Sequence, residues 1–318
     1  MASIWALTTG EAGMRTQARG LAARVSGGSY EEKVFPLPAP WSWLPGHLAP
    51  FALMRAAPHG LAAPWPDLLI TCGRRSVAAA LAIRRASKGR TQLVHIQNPQ
   101  APLHLFGLVI PMIHDRLEGP NVLPVATALH PFTPEVMVAA RAEWAAILKP
   151  DDRPLLGVMV GGPTGRMEMS SDVVDGVLAA VTAFRQQTGG RVRITPSRRT
   201  PDPVRARLHE AAGADDQVTV WSGEGANPYA GMLACCDRFL ITGESVSMVS
   251  EALSPGAPVH VAWLPGIRGR HQAFLERLEA DGAVSRLTGG ELDLDHAGTG
   301  PIDPCEPAAA RVRALLEA

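Results

Sequence analysis

Several places where an apolar run breaks into glycine, hydroxyl and arginine residues are the first candidates for chemistry. The stretch VMVGGPTGR at 158–166 carries Gly161, Gly162 and Thr164 directly after such a run. A loop of this kind lets backbone amides close around phosphate oxygens. It lacks the GK[ST] ending of a P-loop, so hydrolysis of a nucleoside triphosphate with a lysine on the terminal phosphates is not expected. At 195–201, TPSRRTP places Ser197, Arg198 and Arg199 past another apolar run, and two guanidinium forks suit a diphosphate. The stretch FLITGESVSMVSEAL at 239–253 is the richest. Gly243 ends a strand pattern, Ser245 is placed to cap a helix, and the backbone amides around Ser245 and Ser247 offer donors to a phosphate. Glu251 follows Glu244 by about two helical turns, and a carboxylate there can accept hydrogen bonds from vicinal ribose hydroxyls. Turn-forming glycines, solvated arginines and a solvent-facing glutamate are the structural alternatives.

The amino-terminal half offers a second set. TTGEAGMR at 8–15 contains Gly10 and Gly13 at a strand-to-helix turn, and Gly73, Arg74, Arg75 and Ser76 form another oxyanion candidate. The first loop is not a GxGxxG fingerprint, so no dinucleotide is expected. His114 and Asp115 follow the run LVIPMI. A histidine with an unperturbed pKa near about 6.5 is a reasonable general base at neutral pH.

Positioning these loops requires alternating strands and helices. The periodicity predicts strands at 3–8, 67–71, 91–96 and 106–110 and helices at about 14–25, 74–87 and 134–147. A second series follows, with strands at 155–160, 191–195, 217–220, 237–241 and 257–262. Its helices fall near 170–187, 202–211, 228–234, 245–253 and 270–280, and a last helix covers about 306–317. The fold class is therefore α/β, with two Rossmann-like doubly wound domains facing a cleft. The motif PDDRP at 150–154 suits neither helix nor strand, so the expected domains are 1–149 and 150–318. Residues 36–66 interrupt the rhythm with Trp41, Trp43 and Trp65 among prolines, near His47, Arg55 and His59. This segment reads either as an irregular connection or as an apolar surface that rests on a lipid interface.

The 318 residues carry 30 basic and 30 acidic side chains, with 46% hydrophobic and 19% charged residues. A formal net charge of zero gives no global field for nucleic acid, and none is expected as a partner. The composition excludes wholesale disorder. Cys72, Cys235, Cys236 and Cys305 show no CxxC pair, so neither a disulfide framework nor a metal is expected, and a reducing cytoplasm fits. No run of about 18 apolar residues would span a membrane.

The motifs TCGRRS at 71–76, IP at 110–111 with His114 and Asp115, TPSRRT at 195–200, GANPY at 225–229 and TGESVSMVSEA at 242–252 together resemble the Elm family. These are mitochondrial-fission "elongated mitochondria" proteins and their bacterial relatives, and the likeness covers nearly the whole chain. The second half, with SEAL, PGAPV and a later HQ, also resembles the nucleotide-sugar half of GT-B glycosyltransferases. That resemblance implies a GT-B fold and a nucleoside-diphosphate sugar, with UDP the expected nucleotide. It maps Glu251 onto the ribose-binding glutamate and Gln272 onto a later glutamine, and Asn227 is expected beside them on the nucleoside or sugar side. Where the transferase pattern has a histidine after its first glycines, this chain has Met14, which leaves His114 as a substitute base or leaves no base at all.

The expected function is a metal-independent glycosyl transfer needing no cofactor, with Gly10, Gly13, Arg74 and Arg75 on the acceptor side. Two alternatives stay open. One is a non-catalytic, membrane-peripheral adaptor as the Elm resemblance implies, with a membrane surface or lipid acceptor as partner and an inner-membrane location. The other is a nucleotide-sugar epimerase.

Overall fold

Strands alternate with helices through the described residues, 2–36 and 61–317, of the computed structural model. The tryptophan-rich segment therefore lies outside the described residues at 37–60. Trp65, just beyond it, packs edge-on against Trp5 with ring centroids 6.2 Å apart.

The chain divides into two compact units, Met1–Pro131 with Asp303–Ala318, and Phe132–Ile302. In unit 1 the strands are β1 (Ile4–Thr8), β2 (Glu31–Val34), β3 (Leu68–Cys72), β4 (Gln92–Ile96) and β5 (Leu108–Ile110). They form one parallel sheet in the order β2-β1-β3-β4-β5. Its described helices are α1 (Ala12–Ser26), α2 (Val77–Ala86) and the chain-terminal α9 (Cys305–Glu317). In unit 2, β6 (Leu155–Val160), β7 (Arg191–Pro196), β8 (Val218–Val220), β9 (Arg238–Thr242), β10 (Val259–Ala262) and β11 (Val284–Arg286) form a second sheet, order β11-β10-β9-β6-β7-β8. It is parallel throughout. The helices of unit 2 are α3 (Pro134–Leu148), α4 (Ser171–Thr188), α5 (Asp202–Gly213), α6 (Tyr229–Cys235), α7 (Val246–Ala252) and α8 (Arg270–Ala280).

The central strands explain the pattern. All six residues of β6 and all five of β1 and β3 are buried, as a parallel sheet covered by helices on both faces demands. Two strands go beyond the expected set, and both are edges. β2 reads EEKV, with Glu31, Glu32 and Val34 exposed, and β11 is the three-residue VSR. An edge strand covered on one side at most needs no apolar run, so periodicity does not mark it.

The unit boundaries differ from the expected division between 149 and 150. Helix α3 belongs to unit 2, where Trp144 lies against Gly231 of α6, a position with no room for a side chain. Thr133 caps α3 by accepting a hydrogen bond from the Val136 amide at 3.2 Å, with Pro134 in its first turn. Helix α9 returns to unit 1, where Cys305, Ala308, Ala309 and Val312 share a core with Ala18, Leu21 and Ala22 of α1. Small residues on both helices allow this close approach, a feature that the proline-and-charge signal at 150–154 does not carry.

Candidate functional site

In an open parallel sheet, ligands bind beyond the carboxyl ends of the strands where the strand order reverses. In unit 2 that reversal lies between β6 and β9. The two strand ends are GGPT at 161–164 and GES at 243–245, with SRRT at 197–200 following β7 next door. The sequence-predicted loops are thus brought together.

The interior of this strand-end cluster is densely hydrogen-bonded. The Gly161 amide donates to Thr242 Oγ1 at 2.7 Å, and the Gly162 amide donates to Glu244 Oε1 at 3.1 Å. The Thr200 hydroxyl bonds the carbonyls of Val160 at 2.8 Å and Gly161 at 2.6 Å. A Cβ added to Gly161 would overlap Glu244 Oε1, and one on Gly162 would overlap the Arg199 carbonyl. Both glycines are therefore needed for close approach. Arg199 donates to Thr164 Oγ1 at 2.6 Å, and its guanidinium lies 3.9 Å from Glu244 Oε1. Glu244 has no side-chain exposure. Burial pushes its carboxyl above the usual range, against the downward pull of its own amide, the Thr242 hydroxyl, Arg199 and the Gly162 amide.

The remaining predicted residues take distinct places. Arg198 is exposed, and Ser197 accepts from the Arg199 amide at 3.1 Å. Ser245 caps α7 by accepting from the Met248 amide at 3.3 Å. Ser247 is half-buried in the first turn, and Gly243 is buried with its carbonyl 2.6 Å from His271 Nε2 on α8. Burial lowers the His271 pKa, partly offset by that carbonyl. Glu251 is 7% exposed and accepts a hydrogen bond from the Tyr229 hydroxyl through Oε2. Burial raises its pKa to about 7 despite that bond. Asn227 is exposed and accepts from the Tyr229 amide at 3.0 Å, an Asx turn that starts α6. Gln272 donates to Glu276 at 2.7 Å along α8 rather than toward the strand ends.

Sequence reasoning missed two members, Glu244 as a buried acid and Tyr229 as the partner of Glu251. For the first, a carboxylate immediately after the glycine that ends an apolar strand was a readable signal. Tyr229 had none, because its pairing depends on how α6 and α7 are arranged.

Unit 1 reverses between β1 and β3. There Glu11, Met14, Arg74 and Arg75 line a shallow pocket. Gly10 has φ +107° and its amide bonds the Thr8 hydroxyl at 3.3 Å, while Gly13 lies in the first turn of α1. Arg75 pairs with Glu11 at 3.3 Å. Burial raises the Glu11 pKa, but the Thr9 hydroxyl, its own amide and Arg75 outweigh it, and the net shift is downward. The Met14 sulfur sits against Gly73. His114 and Asp115 occupy a half-buried one-turn 3-10 helix after β5.

One group among the described residues brings metal-ligand atoms within 4.8 Å of one another, namely His130, Asp303 and Cys305. Here Asp303 accepts from the Cys305 amide at 2.8 Å and pairs with Arg24 at 3.1 Å. The Cys305 thiol donates to the His130 carbonyl at 3.1 Å, and burial pushes its pKa up to about 12. A neutral thiol donor and a carboxylate cap explain the cluster as the clamp that starts α9.

The profile of the family described as "Mitochondrial fission ELM1" matches residues 12–316. The chain belongs to this family. An ELM1 mitochondrial fission protein of Arabidopsis thaliana is 30% identical over 276 residues, covering 80% of this chain and 64% of the relative. The chain thus spans less than two thirds of that relative's length. An uncharacterized protein of Rickettsia prowazekii is 24% identical over 288 residues, 79% of this chain and 80% of the relative. Among solved structures, a UDP-GlcNAc 2-epimerase of Neisseria meningitidis bound to UDP-GlcNAc gives a TM-score of 0.55 at 12% identity, covering all of both chains. The UDP-GlcNAc 2-epimerase of Methanocaldococcus jannaschii gives 0.54 at 10% identity, covering 99% of this chain and all of that one. At such identities the likeness establishes the fold, and this ELM1-family chain has the two doubly wound parallel sheets of the GT-B type. Among the described residues no helix is long and apolar enough to cross a membrane.

Proposed function

We propose that unit 2 binds a nucleoside-diphosphate sugar, UDP-linked, and that the protein transfers the sugar to an acceptor without a metal. The observation that carries this reading is Glu251, a carboxylate buried in α7 and oriented by Tyr229. Buried ionisable groups with shifted pKa values concentrate at functional sites, and a carboxylate pinned by one oxygen is preorganised to accept from the pentose hydroxyls. Arg198, Arg199, Gly243, Ser245 and Ser247 then serve the diphosphate. As the bond between the anomeric carbon and the diphosphate oxygen breaks, negative charge grows on the leaving group, and fixed cationic and N–H donors stabilise it. The acceptor oxygen takes the anomeric carbon and loses its proton to His114, with Asp115 beside it in the chain.

A thermal-shift panel of nucleotides and nucleotide sugars tests the binding step. A ligand at 100 times its dissociation constant adds about 2.7 kcal/mol of stability, so UDP-sugars should raise the melting temperature where unrelated nucleotides do not. NMR of products after incubation with a UDP-sugar separates transfer from epimerisation.

A second reading, a non-catalytic adaptor on a membrane surface, is favoured by Met14, an apolar side chain where the transferase pattern has a base. The exposed Val136, Val138 and Ile147 of α3 also favour it. Liposome co-sedimentation combined with a flat nucleotide panel would support this reading over the first.

A further inference from the structure

The Gly161–Gly162 loop has the shape of an anion cradle, yet it is occupied from within. Glu244 Oε1 accepts the Gly162 amide at 3.1 Å, sits where a Gly161 side chain would be, and lies 3.9 Å from Arg199. Its second oxygen, Oε2, is buried with no hydrogen-bond partner. A half-satisfied buried carboxylate is costly, and stability alone gives no reason to keep one at a strand end beside a guanidinium. We infer that Glu244 is a specificity-determining residue, an internal anion that competes with a ligand's diphosphate for the Gly162 amide and Arg199.

The consequence is charge selection. An isolated anion must displace or neutralise Glu244 and gains little else, whereas a ligand that also fills the pentose site at Glu251 has further contacts to offset that cost. Like charges brought together in a desolvated site disfavour binding strongly. The inference rests on reading unit 2 as a nucleoside-diphosphate-sugar site, and adds to it why free phosphates would be poor ligands there.

The groups facing Glu244 are the Arg199 guanidinium from the loop after β7, the Gly162 amide after β6 and the Thr242 hydroxyl at the end of β9, with His271 of α8 on the neighbouring Gly243 carbonyl. Burial raises the Glu244 pKa, so its charge, and with it the competition, fades as pH falls.

The test is Glu244→Gln in the full chain, which keeps the shape and removes the charge, with inorganic pyrophosphate and UDP-GlcNAc as titrants at neutral pH. The inference expects pyrophosphate to bind about tenfold or more tightly to the variant than to the unaltered protein. Equal or weaker pyrophosphate binding by a folded variant overturns it. If the variant gains pyrophosphate affinity while neither protein binds UDP-GlcNAc, the Glu244 inference stands and the nucleotide-sugar reading falls. If UDP-GlcNAc binds but pyrophosphate affinity does not change, the reverse holds. Sulfate, which keeps one charge state from about pH 5 to 8, supplies a measurement on the unaltered protein. It should bind more tightly at the acidic end, and a flat profile contradicts the inference. The part of that slope due to His271 persists in Glu244→Gln, so the difference between the two profiles isolates Glu244.

Discussion

The switch points of the two sheets share a topology and differ in chemistry. In unit 1 the loops after β1 and β3 present Glu11 and Arg75 as a surface ion pair, both more than a third exposed, beside the apolar Met14. In unit 2 the loops after β6 and β9, together with α7, bury two carboxylates, Glu244 and Glu251. Both acids are raised in pKa chiefly by burial, and each has a specific hydrogen-bond donor. Fold alone therefore does not make a site. The same strand-order reversal carries an ordinary solvated pair in one unit and desolvated acids in the other, and desolvation gives a carboxylate its leverage over a ligand.

The largest effect that sharpens this contrast is the pH dependence that Glu251 adds in unit 2. Glu251 is raised from 4.5 to about 7, so the folded protein binds the extra proton between those values. Its contribution to stability is present below pH 4.5 and is lost as pH rises through about 7, on the order of 3 kcal/mol. The buried imidazoles of His95 and His260, lowered to about 3, add slopes of the opposite sign over the same range, so the loss is read as the difference in denaturant unfolding free energy between the unaltered protein and Glu251→Gln, at pH 5 and at pH 8. A difference that is the same at both pH values would mean that Glu251 does not carry it.

Next in size is Gly161→Ala. Its methyl group overlaps Glu244 Oε1, and overpacking of this kind costs about 1–3 kcal/mol, measurable as a lowered urea midpoint. Tyr229→Phe takes the hydroxyl from Glu251 and should cost about 1 kcal/mol at pH 8, where the carboxylate is charged, and less at pH 5. At the small end, Arg75→Ala in unit 1 should change stability by no more than about 0.5 kcal/mol, because exposed ion pairs contribute little. A large loss from Arg75→Ala would break the comparison.

Much of this arrangement was legible in the sequence. The buried strands β1, β3, β6 and β9 appear as apolar runs, and the loops that follow them appear as glycine-rich breaks, because a parallel sheet imposes both at once. Ser245 was readable as a helix cap and proved to be one. The edge strands β2 and β11 were not readable, since half-exposed pairing leaves no apolar signature. The return of α9 to unit 1 depends on small residues at Ala18, Ala22, Ala308 and Ala309, whose meaning appears only once both helices are in place. Tyr229 and Glu251 are 22 residues apart, and nothing local in either segment announces their bond. Asn227 and Gln272, expected on the sugar side, make an Asx turn and a helix-surface bond. Short polar residues serve backbone and ligand equally well, and a sequence does not distinguish the two uses.

The most direct test is calorimetric titration of the unaltered protein and Glu251→Gln with UDP-GlcNAc and UDP. Saturable binding to the first, weakened about tenfold or more in the second through loss of a charged acceptor on the pentose, is the predicted result. Equal affinity for the two proteins would contradict the account.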